Sequence, residues 1–353
     1  MRALALYLPQ FHPIGENNDW WGPGFTEWTN VVAARPRFPG HYQPHLPADL
    51  GFVDLRLAEA RRAQADLARQ FGIAGFCYYH YWFEGRRLLH RPFDEVLATG
   101  EPDFPFCLCW ANEPWSRRWD GSRDDLLIDQ RYSAADDESH IRSLIPAFAD
   151  RRYVRIDGRP LFLVYRTELL PDAARTADRW RTILAREGIG EVYLARVENF
   201  RNDIDPASIG FDAAVEFAPD FRLCGAVLES ADAISAEAFR SNTVLDYDTV
   251  VANMLNAATP PFKRFRAVFP AWDNSSRRRN ARATIFVNST PEKYQRWLAH
   301  TARETIARFE GDERIVLINA WNEWGEGCHL EPDQEYGRRY LEATRAALQA
   351  PLT

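Results

Sequence analysis

The stretch Arg314-Ile-Val-Leu-Ile-Asn-Ala-Trp-Asn-Glu-Trp-Gly-Glu-Gly327 reads as a buried strand running straight into a polar, glycine-bearing turn. Its apolar run, Arg314–Ala320, has the length and continuity of a strand covered on both faces, as in a parallel sheet. Working back along the chain, seven similar runs precede it: Ala3–Leu8, Gly75–Tyr81, Pro105–Trp110, Pro160–Tyr165, Glu191–Val197, Phe211–Phe217 and Arg266–Ala271. Helix-period segments lie between most of them, at Asp54–Phe71, Asp172–Glu187 and Pro291–Phe309, and Tyr336–Leu348 follows the eighth. Thr290-Pro291 marks a helix start, because threonine caps the free N–H groups and proline suits the first turn. From Asp220 to Phe265 no helix stands out. Eight strands alternating with helices predict an α/β fold, a single (β/α)8 TIM barrel, and the ~100 residues beyond the usual ~250 go into long βα loops. No repeat or low-complexity linker divides the chain, so residues 1–353 are expected to form one catalytic barrel domain.

Composition narrows the function. The chain has 353 residues, 46% hydrophobic and 26% charged, with a formal net charge of -7. An acidic balance disfavours nucleic acid and anionic membrane, whose phosphates require a basic surface. No apolar run approaches the roughly 18 residues of a membrane span, and Met1–Phe11 lacks the layout of a signal peptide. The five cysteines have no regular spacing, and Cys77, Cys107 and Cys109 fall in apolar strands. They read as buried free thiols of a reducing compartment, so a cytoplasmic location with no obligatory protein partner is expected.

Tryptophan is the unusual residue. Ten of the twelve follow a strand end, and only Trp180 and Trp297 lie on helices. Reactive groups of a (β/α)8 barrel sit at the C-terminal ends of its strands. Those ends supply Trp20, Trp21, Glu27 and Trp28 after the first strand and Tyr79, His80 and Trp82 after the second. Trp110, Asn112, Glu113, Trp115 and Trp119 follow the third, then Glu198 and Glu216 after the fifth and sixth, and Trp272 and Asp273 after the seventh. Trp321, Asn322, Glu323, Trp324 and Glu326 complete the set. Aromatic faces stack on the C–H faces of sugar rings while polar side chains hold hydroxyls, so these residues are the expected saccharide contacts. The competing reading is a structural plug of indoles closing the barrel top.

Glu323 and Glu326 carry the sharpest chemical signal. Residues three apart on a strand face opposite ways, but Gly325 and Gly327 permit a sharp turn that brings both carboxylates to one cleft. Paired carboxylates in unlike surroundings are the means of glycosidic chemistry, one ionised and the other protonated. Trp321 and Trp324 are placed to desolvate the acid and raise its pKa.

With these motifs in view, the sequence resembles a known family. Tyr7-Leu-Pro-Gln-Phe-His12, Trp20-Trp-Gly-Pro-Gly-Phe-Thr-Glu-Trp28, Gly75-Phe-Cys-Tyr-Tyr-His-Tyr-Trp82, Trp110-Ala-Asn-Glu-Pro-Trp115, Ala320-Trp-Asn-Glu-Trp-Gly-Glu-Gly327 and Leu330-Glu-Pro-Asp333 look like the WbsX-type family. Its members are described as glycosyltransferases of lipopolysaccharide biosynthesis and as glycoside hydrolase family 99-like, distantly similar to retaining endo-α-mannosidases on (β/α)8 barrels. The resemblance implies that Glu323 deprotonates the 2-hydroxyl of the substrate, which attacks the anomeric carbon to give an anhydrosugar. It implies that Glu326 protonates the leaving oxygen and then activates water or an acceptor. Such a route favours an α-linked mannose-configured sugar, mannose or D-rhamnose, of a polysaccharide.

Other signals are weaker. Asp203-Ile-Asp205 and Asp246-Tyr-Asp248 have the form of a metal-dependent transferase motif, but acidic chains produce such pairs by chance, and Pro206 makes the first a turn. No two histidines share close ligand spacing, so no metal and no cofactor are expected. Absence of a glycine-rich phosphate loop disfavours a nucleotide-sugar Rossmann enzyme. Arg277-Arg278-Arg279 reads first as a solvated loop and second as a clamp for an anionic glycan. The expected activity is hydrolysis or transglycosylation; the alternatives are a glycosyltransferase building surface polysaccharide and a non-catalytic glycan-binding barrel.

Overall fold

The computed structural model describes residues 1–117, 125–199, 203–228, 241–279 and 281–350. Eight strands form its centre: β1 (Arg2–Tyr7), β2 (Ile73–Phe83), β3 (Phe106–Trp110), β4 (Arg159–Val164), β5 (Tyr193–Glu198), β6 (Ala213–Glu216), β7 (Arg264–Val268) and β8 (Ile315–Ile318). Each pairs in parallel with the next, and β1 pairs with both β2 and β8, so the sheet closes into a (β/α)8 barrel. All eight predicted strands are present, shifted by at most a few residues at their ends.

The helices are α1 (Gly15–Trp21), α2 (Glu27–Ala33), α3 (Ala58–Gln70), α4 (Arg91–Thr99), α5 (Ala134–Ala149), α6 (Ala173–Arg186), α7 (Tyr247–Asn256), α8 (Pro291–Arg308) and α9 (Arg339–Gln349). Thr290 caps α8 as expected, its side chain accepting from the Lys293 N–H. Asp172 caps α6 in the same way. The two Asp-x-Asp pairs have local work as well: Asp205 caps a 3-10 turn at Pro206–Ile209, and Asp246 caps α7. That short turn is the only helical element described between β5 and β6.

Side chains alternate between the barrel interior and the helix layer. Leu6, Cys109, Leu163, Val197, Val215, Ala267 and Leu317 point inward and leave a void of only ≈ 10 Å³ near the top, so the barrel is a packed core and not a channel. All five cysteines are buried and unpaired. Among the described residues no helix is long and apolar enough to cross a membrane.

Candidate active site

Just beyond β8 the chain folds back on itself. Asn322–Glu323 pairs antiparallel with Cys328–His329 across the 3-10 turn Trp324–Glu326, with Gly327 in the left-handed region at φ 57°. The reversal brings Glu323 and Glu326 to one side, as the two glycines suggest, and both meet the Arg277 guanidinium. Arg277 Nη1 lies 2.8 Å from Glu326 Oε1, and Nη2 donates to Glu323 Oε1. The same guanidinium holds Glu27 through Nε (3.0 Å) and Nη2 (3.1 Å). Gly325 lies directly against this pair: a Cβ there would stand 2.1 Å from Glu27 Oε1 and 2.6 Å from Arg277 Nε. Close approach is what glycine provides at that position.

Three carboxylates therefore share one cation in a buried setting. The Glu27 side chain is wholly enclosed, Glu323 is 7% exposed and Arg277 9%, while Glu326 reaches solvent at 24%. Burial pushes Glu323 up to about 8, with Glu326 and Glu27 adding to the rise and Arg277 opposing it. Glu326 is raised by burial first and by Glu27 next, again against Arg277. Interacting carboxyls this close lose their protons as a pair. A group that keeps a proton near neutrality and a neighbour that can take one are thus available together.

Aromatic residues flank the cluster. Burial raises the Tyr79 and Tyr81 hydroxyls, and the charge of Glu323 adds to both; for Tyr165 the added charges are Glu113 and Glu326. Trp115 meets Tyr81 edge-on at 5.1 Å and Trp20 at 5.9 Å, and Arg117 lies over the Trp21 ring. Trp20, Trp21, Trp28, Tyr79, Trp115 and Tyr165 remain half-exposed. Trp119 lies outside the described residues. Glu113 pairs with Arg166, which also holds Glu168 at 2.6 Å.

Several expected sugar contacts face elsewhere, and strand parity is the reason. On β2, Tyr79 and Tyr81 turn to the mouth, so His80 and Trp82 turn to the helix layer. His80 Nε2 lies 2.9 Å from His140 of α5, Trp82 donates to Asp136 (2.8 Å), and Trp110 packs between His140 and Trp180 of α6. Glu198 and Glu216 likewise point outward, into an arginine cluster. Arg266 Nε binds Glu216 at 2.9 Å, and Arg196 and Arg264 each stand 3.6 Å from Glu198. Asn112 and Asn322 each bond a neighbouring backbone. Asn112 accepts from the Arg166 N–H and donates to its carbonyl, both at 2.8 Å, and Asn322 bonds Leu8 in the same two-way fashion at 2.7 and 3.0 Å. They stitch neighbouring strand ends together.

Trp321 and Trp324 do not line the mouth either. Both aim their indole N–H at the buried Glu331, at 3.0 and 2.6 Å, and Gln64 adds a third bond at 2.6 Å. Glu331 is a positioning residue that only its place in Leu330-Glu-Pro-Asp333 hinted at. Burial raises it to about 7 against the pull of those donors. Trp272 is buried edge-on against Phe221. Burial works against ionisation of Asp273, yet bonds from His41 and Gln43, both 2.6 Å, hold it down at about 2. The Arg277–Arg279 run divides: Arg277 is the buried hub of the glutamate cluster, whereas Arg279 is exposed, as a solvated loop predicts, and donates to Asn30 at 3.1 Å.

Fold and cluster together define a (β/α)8 protein with its polar centre at the C-terminal face. The chain matches the glycosyltransferase WbsX family over residues 3–344 and belongs to that family. It is 46% identical over 345 residues to the uncharacterized protein WxcX of two strains of Xanthomonas campestris pv. campestris. That alignment covers 98% of this chain and 49% of the relative, so the chain spans about half the length of the curated relatives it matches. Among solved structures it shares its fold with a glycoside hydrolase-like protein (TM-score 0.62, 15% identity, 99% of this chain and 94% of the other). The GH99 endo-alpha-mannosidase from Bacteroides thetaiotaomicron is similar at TM-score 0.58 and 15% identity, over 98% and 96% of the two chains.

Proposed function

We propose that residues 1–353 act as one catalytic barrel that cleaves or transfers α-linked mannose-configured glycosides of a polysaccharide with retention. Mannose or D-rhamnose is the sugar, and Glu323 and Glu326 are the catalytic residues. The observation that carries the reading is the meeting of these two carboxylates around Arg277 at the C-terminal mouth. Glu323, the deeper of the two, takes the proton of the 2-hydroxyl as O2 closes on C1. Glu326, the more exposed, gives its proton to the departing oxygen. In the second half Glu326 removes a proton from water or an acceptor hydroxyl, which opens the anhydrosugar at C1, and Glu323 returns its proton to O2. The interacting pair keeps one proton near neutrality, and in this reading the reacting complex carries it on Glu326, with Arg277 holding Glu323 ionised against the burial that raises it. Half-exposed Trp20, Trp21, Trp115, Tyr79 and Tyr165 are the ring-stacking surface in this reading.

The family name favours a second reading, a glycosyltransferase of surface-polysaccharide biosynthesis. One experiment separates the two. The chain is incubated with α-mannan or D-rhamnan oligosaccharides, and separately with nucleotide sugars plus an acceptor, and new reducing ends or chain extension are measured. Glu326→Gln abolishes whichever activity appears, with oligosaccharide affinity retained. Unchanged activity in that variant overturns the carboxylate pair. Ligand affinity with no turnover in the parent chain leaves the glycan-binding barrel as the answer.

A further inference from the structure

A second cluster lies behind the turn after β8. His45, from the segment between α2 and α3, meets His329 and Asp333: His45 Nδ1 is 2.9 Å from His329 Nε2, which is 3.9 Å from Asp333 Oδ2. One ligand atom from each residue lies within 4.8 Å of the others, and all three residues are buried. Antiparallel pairing sends His329 and its partner Asn322 to one face of the turn and Glu323 to the other, so this cluster is separate from the glutamates.

Six features favour a cation. Ligands about 2.0–2.2 Å from a tetrahedral zinc stand about 3.3 Å from one another, and the 2.9 and 3.9 Å separations bracket that value. His329 Nδ1 lies 2.9 Å from the Glu331 carbonyl; donation there leaves the Nε2 lone pair facing the cluster, the usual outer support of a ligating imidazole. Asp333 Oδ1 is held by the N–H groups of Glu335 (3.1 Å) and Tyr336 (2.6 Å), which leaves Oδ2 turned towards His329. Among the described residues no lysine or arginine pairs with Asp333, so a buried carboxylate faces two imidazoles without a fixed positive charge. The rings are locked as well, His329 stacked on Trp324 at 3.8 Å and His45 on Tyr42 at 4.2 Å. All three side chains border a cavity of ≈ 390 Å³ that also includes His41 and Asp273 but none of the three clustered glutamates.

We propose that His45, His329 and Asp333 bind one divalent transition-metal ion of the zinc class, with the fourth coordination position open to this cavity. Such an ion ties the segment after α2 to the segment after β8, and the proposal stands or falls independently of the glycosidic reading.

The test strips the 353-residue chain with chelator and reloads it with Zn²⁺ or Co²⁺ alone. The expected results are one equivalent of zinc retained through gel filtration, a visible Co²⁺ absorption band, and quenching of tryptophan fluorescence by Co²⁺ next to Trp324. Retention drops at least tenfold in His45→Ala and His329→Ala and is unchanged in His300→Ala, on the exposed face of α8. Zinc also raises the melting temperature of the parent chain by several degrees, a readout that needs no variant. Less than about a tenth of an equivalent bound, no change in melting temperature, or equal retention by the His45→Ala/His329→Ala double variant would overturn the site.

Discussion

Two buried glutamate–arginine clusters stand on opposite sides of the barrel wall, and their composition differs more than their burial. On the outer face of β5–β7, Arg196, Arg264 and Arg266 meet Glu198, Glu216 and, from α8, Glu304. Three cations face three anions. At the mouth, among the described residues, Glu27, Glu323 and Glu326 gather on the one guanidinium of Arg277, with Arg278 acting on Glu326 from further off. Desolvation acts on both sets and takes Glu198 to about 7 even though Arg264 and Arg196 pull it down. At both places a neighbouring carboxylate adds to the rise, Glu216 for Glu198 and Glu326 with Glu27 for Glu323, which reaches about 8 against Arg277. A balanced set braces one strand against another. Under the proposed function the mouth set differs in access: Glu326 reaches solvent at 24% exposure, whereas Glu198 is enclosed at 2%.

The largest expected effect tests that division directly. Glu323→Gln and Glu326→Gln each lower turnover by about 10³-fold or more, in the range set by loss of a positioned acid or base. Glu216→Gln leaves kcat of the folded protein within about threefold, since its carboxylate faces the helix layer. Comparable losses in turnover at Glu216 and Glu326 would break the comparison.

Stability reverses the ranking. Glu216→Gln removes one anion from the wall while Arg266 keeps Glu304 and Arg264 keeps Glu198, and it costs about 3 kcal/mol, measured by denaturant unfolding. Glu323→Gln removes like-charge repulsion, and its sign follows from linkage. A carboxyl raised in the folded state contributes stability that is complete below its unfolded value and disappears as pH rises through the folded one. The parent chain therefore loses ground to Glu323→Gln between the ordinary carboxylate range and about pH 8. Next in size is Glu331→Gln, which replaces one acceptor oxygen by a donor amide and leaves an indole N–H of Trp321 or Trp324 unsatisfied. That costs about 1–3 kcal/mol and is read from the same unfolding curves.

How far the sequence revealed all this depends on whether the signal was local. The strands and the Thr290 cap each show within a dozen residues and are where they were expected, and the turn after β8 brings Glu323 and Glu326 to one side, onto Arg277. Assigning strand-end side chains to the mouth failed at His80, Trp82, Trp110, Glu198 and Glu216, where the strands run on and alternation still governs direction. Parity was the available clue: Tyr79 and Tyr81 cannot face inward together with His80 and Trp82. Arg277 gave no such clue. Its partners are 46, 49 and 250 positions away along the chain, and its charge in an arginine run read as solvation. His45 and His329, 284 apart, show the same limit.

The smallest expected effect probes the charge excess itself. Glu27 touches Arg277 twice and is wholly enclosed, pressed against Gly325. Glu27→Gln removes one like charge from beside Glu323 and Glu326 and leaves Arg277 with two anions instead of three. Both changes favour ionisation, so both lower the affinity of the pair for its proton. If the active form carries one proton on the pair, activity falls below the lower constant as the base is protonated, and above the upper one as the acid ionises. In Glu27→Gln the alkaline limb of kcat/KM shifts to lower pH by up to about one unit, roughly 1.4 kcal/mol of charge interaction. An upward shift would mean that Glu27 serves chiefly to hold Arg277 in place, and that the excess of carboxylates does not set the acidity of this mouth.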